Sequence, residues 1–230
     1  MNIVYNANAI SILEGLENSS VDHIIIDPPY EIDFQMLDWD KPCLNWTLLE
    51  SEFNRIIKPN GNLLIFQGWS NVCSTIKMFS AWNFNNWIIY DRIKGRGAKR
   101  NFTSTREDLL WFSIGAEYTF NKEFSNIKKK TGGLGAKNGQ ENRSLSNVWT
   151  DISPIVPWSK ERVKHPTQKP LQLMERIIRI FTNENELILD CFAGSGTTLV
   201  ACKNYNRKYI GVEKDHDYFQ ICNNRLNNIC

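Results

Sequence analysis

Short apolar runs alternate with stretches of helical periodicity along the chain, the pattern of an α/β domain with a mostly parallel sheet. Ile3-Val4-Tyr5 reads as a strand and Ala9 to Leu16 as a short helix with apolar Ile12, Leu13 and Leu16. His23 to Ile26 is a buried strand that stops at Asp27-Pro28-Pro29, because neither proline can donate a backbone N–H. Trp46 to Ile57 has the period of an amphipathic helix, closed by the turn Lys58-Pro59-Asn60-Gly61. Leu63 to Phe66 is the next strand and Asn71 to Trp82 the next helix. Trp87 to Tyr90 and Leu109 to Phe112 are further strands, separated by a basic loop from Arg92 to Arg106. Periodicity fades from Asn121 to Lys164, where glycines sit among lysines and asparagines, so a long loop or small inserted unit is expected. After Pro170 come a helix to about Phe181, a strand Leu187 to Leu189, a Gly-rich turn, and a helix from about Thr197. A strand Tyr209 to Val212 and a C-terminal helix complete the pattern.

Composition narrows the class. With 230 residues the chain makes one large domain, or a domain with a modest insertion. Hydrophobic residues at 42% and charged residues at 23% exclude collagen, disorder and a coiled coil as the main architecture. No apolar run reaches the roughly 18 residues of a membrane span, and Met1 to Tyr5 lacks the basic start of a signal peptide. The six cysteines are scattered without a C-x-x-C pair, so a reducing compartment and free thiols are expected, with no structural zinc.

The net charge of +2 conceals an asymmetry. Residues 1–91 carry a balance of −7, residues 92–169 a balance of +9, and residues 170–230 are neutral. A basic central block of this size suits a polyanion such as nucleic acid.

Two motifs carry chemistry. Leu189-Asp190-Cys191-Phe192-Ala193-Gly194-Ser195-Gly196-Thr197-Thr198 joins a strand to a helix. Its glycines let the backbone approach a ligand, and the helix N-terminus offers unpaired N–H groups. No lysine follows Gly196, so it is no phosphate-binding P-loop, and Glu213 ends the next strand where an acidic side chain accepts from ribose hydroxyls. The second motif, Asp27-Pro28-Pro29-Tyr30, lies at the carboxyl end of a strand, where open α/β sheets place their sites. Asp27 and the Pro28 carbonyl supply acceptors and Tyr30 a π-face, a set that suits a planar base with an exocyclic amine. The lone pair of such an amine is delocalised into the ring. Hydrogen bonds to Asp27 and Pro28 would draw it towards tetrahedral geometry while Tyr30 stacks on the extruded base.

With these motifs the sequence resembles the amino-group DNA methyltransferases that use S-adenosylmethionine, over Tyr5 to about Leu226. It is similar to their β arrangement, in which Asp-Pro-Pro-Tyr precedes Phe-x-Gly-x-Gly. Arg106 to Phe112 and His165-Pro166-Thr167-Gln168-Lys169-Pro170 match between the two. The resemblance implies a Rossmann-like methyltransferase fold with circularly permuted motif order. Residues 1–120 would be its catalytic half, 121–164 a DNA target-recognition insertion and 165–230 its cofactor-binding half. It implies catalysis by Asp27, Pro28, Pro29 and Tyr30 through base flipping and in-line transfer, with no covalent intermediate and no metal. It implies cofactor contacts from Asn8, Ala9, Pro166, Thr167, Lys169, Asp190, Phe192, Gly194, Gly196, Thr197 and Glu213, with Phe66, Gln67 and Gly68 lining the pocket. Asn8 stands where the family often has an acidic residue, and Cys191 where proline is common.

The motif order sets aside two other readings. Cytosine-C5 enzymes use a Pro-Cys nucleophile, as in Pro42-Cys43, but place the glycines first. Protein-glutamine and ribosomal-RNA methyltransferases also carry the cofactor motif first. Asp27 leans towards adenine-N6, with cytosine-N4 as the alternative and an inactive DNA-binding module as a reading of another class. Double-stranded DNA is the expected partner, through Lys94, Arg96, Lys99 and Arg100 in the basic loop and Lys128, Lys129, Lys130 and Arg143 in the later segment. Acidic Glu31 to Asp40 either closes over the flipped base or is a surface loop. The resemblance leaves room for a homodimer and a cognate restriction endonuclease, and implies a cytoplasmic setting. His23, His165 and His216 receive no acid–base or metal role.

Overall fold

In the computed structural model, residues 1–30, 44–96, 100, 102–128 and 142–228 are described. The chain runs β1 (Asn2–Asn6), α1 (Ala9–Leu13), β2 (His23–Ile26), α2 (Trp46–Ile56), β3 (Asn62–Gln67), α3 (Val72–Met78), β4 (Asn83–Arg96) and β5 (Ser104–Ser113). It continues through β6 (Asn126–Lys128), β7 (Asn142–Ser144), β8 (Val148–Trp149), α4 (Leu171–Phe181), β9 (Leu187–Asp190), α5 (Thr197–Asn204), β10 (Lys208–Glu213) and α6 (His216–Asn227). Among the described residues, eight strands form one sheet in the order β1-β10-β9-β2-β3-β5-β4-β8. The first five are mutually parallel, and β5 is antiparallel to both β3 and β4.

Strand alternation sorts the core into two layers. Ile25, Leu64 and Phe66 face α4, α5 and α6, packing with Ile177, Leu199 and Leu226. Ile24, Ile26, Leu63 and Ile65 face the other way, onto Leu13, Phe53, Ile56 and Val72 of α1 to α3. A sheet covered on both faces explains why β2 and β3 read as continuous apolar runs. From β9 the chain winds towards β10, and from β2 towards β3. Their carboxyl ends therefore flank the crevice where open α/β sheets bind ligands.

Asn62 ties the amino end of β3 to its surroundings. Its Nδ2 donates to the carbonyls of Thr119 (2.8 Å) and Phe181 (2.9 Å), and its Oδ1 accepts from Trp111 Nε1 at 2.8 Å. His23 belongs to the same region: its Nδ1 accepts from the Asn62 N–H at 3.0 Å, so Nε2 donates to Glu186 at 2.7 Å. His23 is thus a structural histidine, and its bond to Glu186 helps pull that carboxyl down to about 2 against burial, which alone would raise it. Replacing Asn62 by alanine strands one buried N–H and two carbonyls. Asn62→Ala is expected to cost about 2–4 kcal/mol, read from the midpoint of urea unfolding.

Two segments differ from the sequence pattern. β4 and β5 extend into the basic loop, so Arg92 and Arg106 lie on strands. Arg92 sits 3.4 Å from Glu107, and Arg106 sits 3.3 Å from Asp108 and over the Trp87 ring. Residues 121–164 hold the short hairpin β6–β7, then return to the main sheet. There β8 pairs with β4, Trp149 is buried, and Asp151 takes both arms of Arg176 from α4. Pro42-Cys43 and Glu31 to Asp40 lie outside the described residues.

Candidate active site

β2 ends at Ile26, and the turn after it directs Asp27 to the face that carries α4. Asp27 Oδ1 accepts from the Tyr30 hydroxyl at 3.0 Å, and Oδ2 accepts from Lys169 Nζ at 2.5 Å. Tyr30 is fixed from both sides. Its ring lies against Gly68, where an added Cβ would stand 3.3 Å away, and its carbonyl accepts from Asn71 Nδ2 at 2.6 Å.

Lys169 is 7% exposed and serves two carboxylates, with Glu107 Oε2 at 3.1 Å. Its ammonium also lies 4.9 Å from the Phe66 ring centroid and 5.7 Å from that of Tyr30. Burial pushes the Asp27 carboxyl above its ordinary value, with Lys169 opposing and Glu107 reinforcing. For Lys169, burial works against the charge, but Asp27 and Glu107 together outweigh it and hold the ammonium above the ordinary lysine value. The cluster of Asp27, Glu107, Lys169 and Arg92 carries two charges of each sign.

Beside it, β9 ends at Asp190, which is buried and accepts from the Phe192 N–H at 3.1 Å. The turn needs glycine twice: Gly194 has φ +51 and Gly196 φ +77, and a Cβ at Gly196 would meet Cys222 Sγ at 2.5 Å. The Gly194 N–H donates to Glu213 Oε2 at 2.7 Å, and the Asp215 N–H donates to Oε1 at 2.7 Å. Each carboxylate oxygen keeps spare acceptor capacity. Burial raises Glu213 and pushes Asp190 up to about 7.

The segment before α4 folds over this turn. The His165 ring packs edge-on to Tyr218 at 4.4 Å, and its Nε2 lies 3.0 Å from where a Gly194 Cβ would stand. Burial pushes His165 down to about 4, so the ring is neutral at physiological pH, and Nδ1 has no partner among the described residues. Gln168 pins the segment by accepting from the Val163 N–H and donating to the Glu161 carbonyl.

The remaining candidates scatter more widely. Pro166 is exposed, while Thr167, Phe192 and Ala9 are half-buried. Asn8 is exposed and caps α1, accepting from the Ile10 N–H at 2.9 Å. Thr197 Oγ1 accepts from Arg225 at 2.9 Å, which ties the start of α5 to α6. Lys94 and Arg96 lie on β4, Arg100 is exposed between β4 and β5, and Lys128 and Arg143 lie on the β6–β7 hairpin. Lys99, Lys129 and Lys130 lie outside the described residues. The sequence alone gives Glu107 and His165 no role. The signal for Glu107 was a run of three charges, Arg106 to Asp108, opening an otherwise apolar strand.

The donor set suits S-adenosylmethionine. Two carboxylates, Asp190 and Glu213, flank the glycine turn, offering acceptors to hydroxyl and ammonium groups. They would repel the pyrophosphate of a dinucleotide. Asp190 also makes a testable electrostatic statement. Its folded value near 7 stands above its unfolded 3.8. The stability it contributes is therefore complete in acid and is lost as pH rises through about 7. Asp190→Asn keeps the neutral form at every pH. Relative to the wild type, the ligand-free variant is expected to gain thermal stability steadily as melts move from pH 4 to pH 7.

Comparison with known proteins agrees with this geometry. A family model described as DNA methylase, covering N6 and N4 enzymes, matches residues 21–224. The type II methyltransferase M.HpaI of Haemophilus parainfluenzae is 34% identical over 96% of this chain and 72% of its own length. The DNA adenine methyltransferase YhdJ of Escherichia coli (strain K12) is 30% identical over 97% of this chain and 82% of its own. Among solved structures, the M1.HpyAVI–SAM complex superposes with a TM-score of 0.71 at 30% identity, over 99% of this chain and 100% of that one. The Asp-Pro-Pro-Tyr turn at the end of β2, the glycine turn at the end of β9 and a match over nearly the whole chain lead to one assignment: this protein belongs to the N6/N4 DNA methylase family.

Proposed function

We propose that the protein methylates the N6 amine of adenine in duplex DNA, drawing the base out of the helix and passing the methyl group to it directly. The observation that carries this reading is the Asp27 turn after β2, which brings a carboxylate and the Tyr30 hydroxyl within 3.0 Å of one another beside the crevice between β2 and β9. S-adenosylmethionine is the cofactor and supplies a methyl group bound to sulfonium sulfur. Glu213 and Asp190 would hold its hydroxyl and ammonium groups, and Gly194 would give it backbone access.

Asp27 would accept one amine hydrogen and orient the nitrogen lone pair, with the Pro28 carbonyl accepting the other. Tyr30, fixed by Gly68 and Asn71, would stack on the base. Forming the N–CH3 bond requires loss of one N–H proton, and a carboxylate raised by burial is a better acceptor for it than an ordinary one. Alignment rather than covalent chemistry supplies the acceleration. Adenine is favoured by aspartate at the first catalytic position and by the likeness to an adenine methyltransferase. Basic residues of the β4–β5 tip and the β6–β7 hairpin would neutralise phosphates. A cytoplasmic setting, a homodimer and a partner endonuclease belong to the same reading.

The test is nucleoside mass spectrometry of unmethylated DNA after incubation with the protein and labelled S-adenosylmethionine. N6-methyladenine is the expected product. N4-methylcytosine would keep the site and replace the base, and no methylated base on several DNAs would overturn the reading.

A further inference from the structure

Both oxygens of Asp27 have partners before any substrate arrives, Tyr30 at 3.0 Å and Lys169 at 2.5 Å. Each oxygen keeps spare acceptor capacity, but an exocyclic amine that reaches Oδ2 must share it with the buried ammonium, and the sharing loosens the Lys169 bond. Moving an ammonium off its only counter-ion inside a protein is prohibitive, because the charge is left without solvent or partner. Lys169 is not in that position. Glu107 Oε2 stands 3.1 Å from the same Nζ, and Glu107 Oε1 faces Arg92 at 3.4 Å, so Glu107 is held from β4 whichever way Lys169 leans.

We propose that Glu107 is a positioning residue for methyl transfer: it is the second seat of the Lys169 ammonium, to which Lys169 withdraws when the target amine takes its place on Asp27. The proposal rests on the methyl-transfer reading above. An ammonium has three protons, so Lys169 can keep its ion pair with Glu107 throughout and surrender only the hydrogen bond to Asp27. Glutamate at 107 makes that exchange neutral in charge. A neutral residue there would leave Asp27 as the sole counter-ion among the described residues and lock Lys169 onto it.

Asp27 faces Tyr30 from its own turn, Lys169 from the segment before α4, and Glu107 from β5. Asp190 of β9 senses its charge. Across Glu107, β4 contributes Arg92 and the buried Tyr90, whose hydroxyl has no partner among the described residues. Glu107 raises the Asp27 carboxyl, so its removal lowers it.

The test is Glu107→Gln in the full chain, read as kcat against pH together with KM for S-adenosylmethionine. The expected result is a plateau kcat at least about tenfold lower, a KM within about twofold of the wild type, and an acid limb displaced to lower pH. In the Lys169→Met chain the same change is expected to raise activity rather than lower it, because no ammonium remains to be locked and the carboxylate that raises Asp27 is gone. Wild-type kcat, an unmoved acid limb, or an equal loss in the Lys169→Met background would overturn the proposal. If Glu107→Gln does not fold, Glu107→Asp decides. It keeps the charge but lengthens the contact, so an intermediate kcat at wild-type KM is expected, and a wild-type kcat overturns the proposal. A wild type that methylates no DNA overturns the underlying reading, whereas an active wild type with an equally active Glu107→Gln chain overturns this proposal alone.

Discussion

Asp27→Ala is expected to lower single-turnover methyl transfer by at least about a thousandfold while leaving S-adenosylmethionine affinity within about threefold. Alanine removes the one carboxylate that can both orient the target amine and take its proton, and nothing else at the end of β2 replaces it. Pro28 and Pro29 keep the turn, and Gly68 and Asn71 keep Tyr30 in place. The variant should therefore still fold and still stack the base. Lys169 retains Glu107, so no buried cation is stranded. Calorimetric titration of the cofactor alongside rapid-quench assay of labelled methyl separates the two effects. A variant that keeps a tenth of the wild-type rate would show that Asp27 is not the amine's acceptor. A variant that loses the cofactor as well would mean the two halves of the crevice are not separable.

The sheet and both motifs were legible because each depends on local rules. β2 and β3 are unbroken apolar runs, the double proline can only end a strand, and Gly194 and Gly196 occupy positions where φ is positive. What was not legible depends on distant partners. Charge counting placed Arg92 and Arg106 in a basic loop beside Arg100, yet the first two lie on strands and face carboxylates, while Arg100 is exposed. A count of charges does not say which are already paired. The return of β8 to the sheet was invisible for another reason: a two-residue strand has no period, and only the burial of Trp149 marks it. Lys169 was expected at the cofactor, from the motif that contains it. Its ammonium also meets Asp27, 142 positions away in sequence, a contact that pattern alone does not reveal.

That contact makes the second large prediction. Lys169→Met removes the ammonium and leaves Asp27 and Glu107 facing one another, with Arg92 paired to Glu107 but, among the described residues, not to Asp27. Two neighbouring carboxylates without their cation do not both stay ionised, and Asp27, already raised by burial, is the one to take up a proton. A protonated Asp27 is a donor on one oxygen and cannot take the amine's proton. At neutral pH kcat is expected to fall about a hundredfold, with the acid limb displaced to higher pH, opposite to Glu107→Gln. The loss should shrink as pH rises and the carboxylate returns. Stability should move the other way. A carboxyl whose folded value lies further above its unfolded one contributes stability in acid that is lost as pH rises through the folded value. Melting temperatures of the variant, relative to the wild type, should therefore fall over the same interval in which its activity recovers. Parallel pH series of kcat and melting temperature read both trends. Activity and stability rising together, or an acid limb in its wild-type place, would mean that Lys169 does not govern the charge on Asp27.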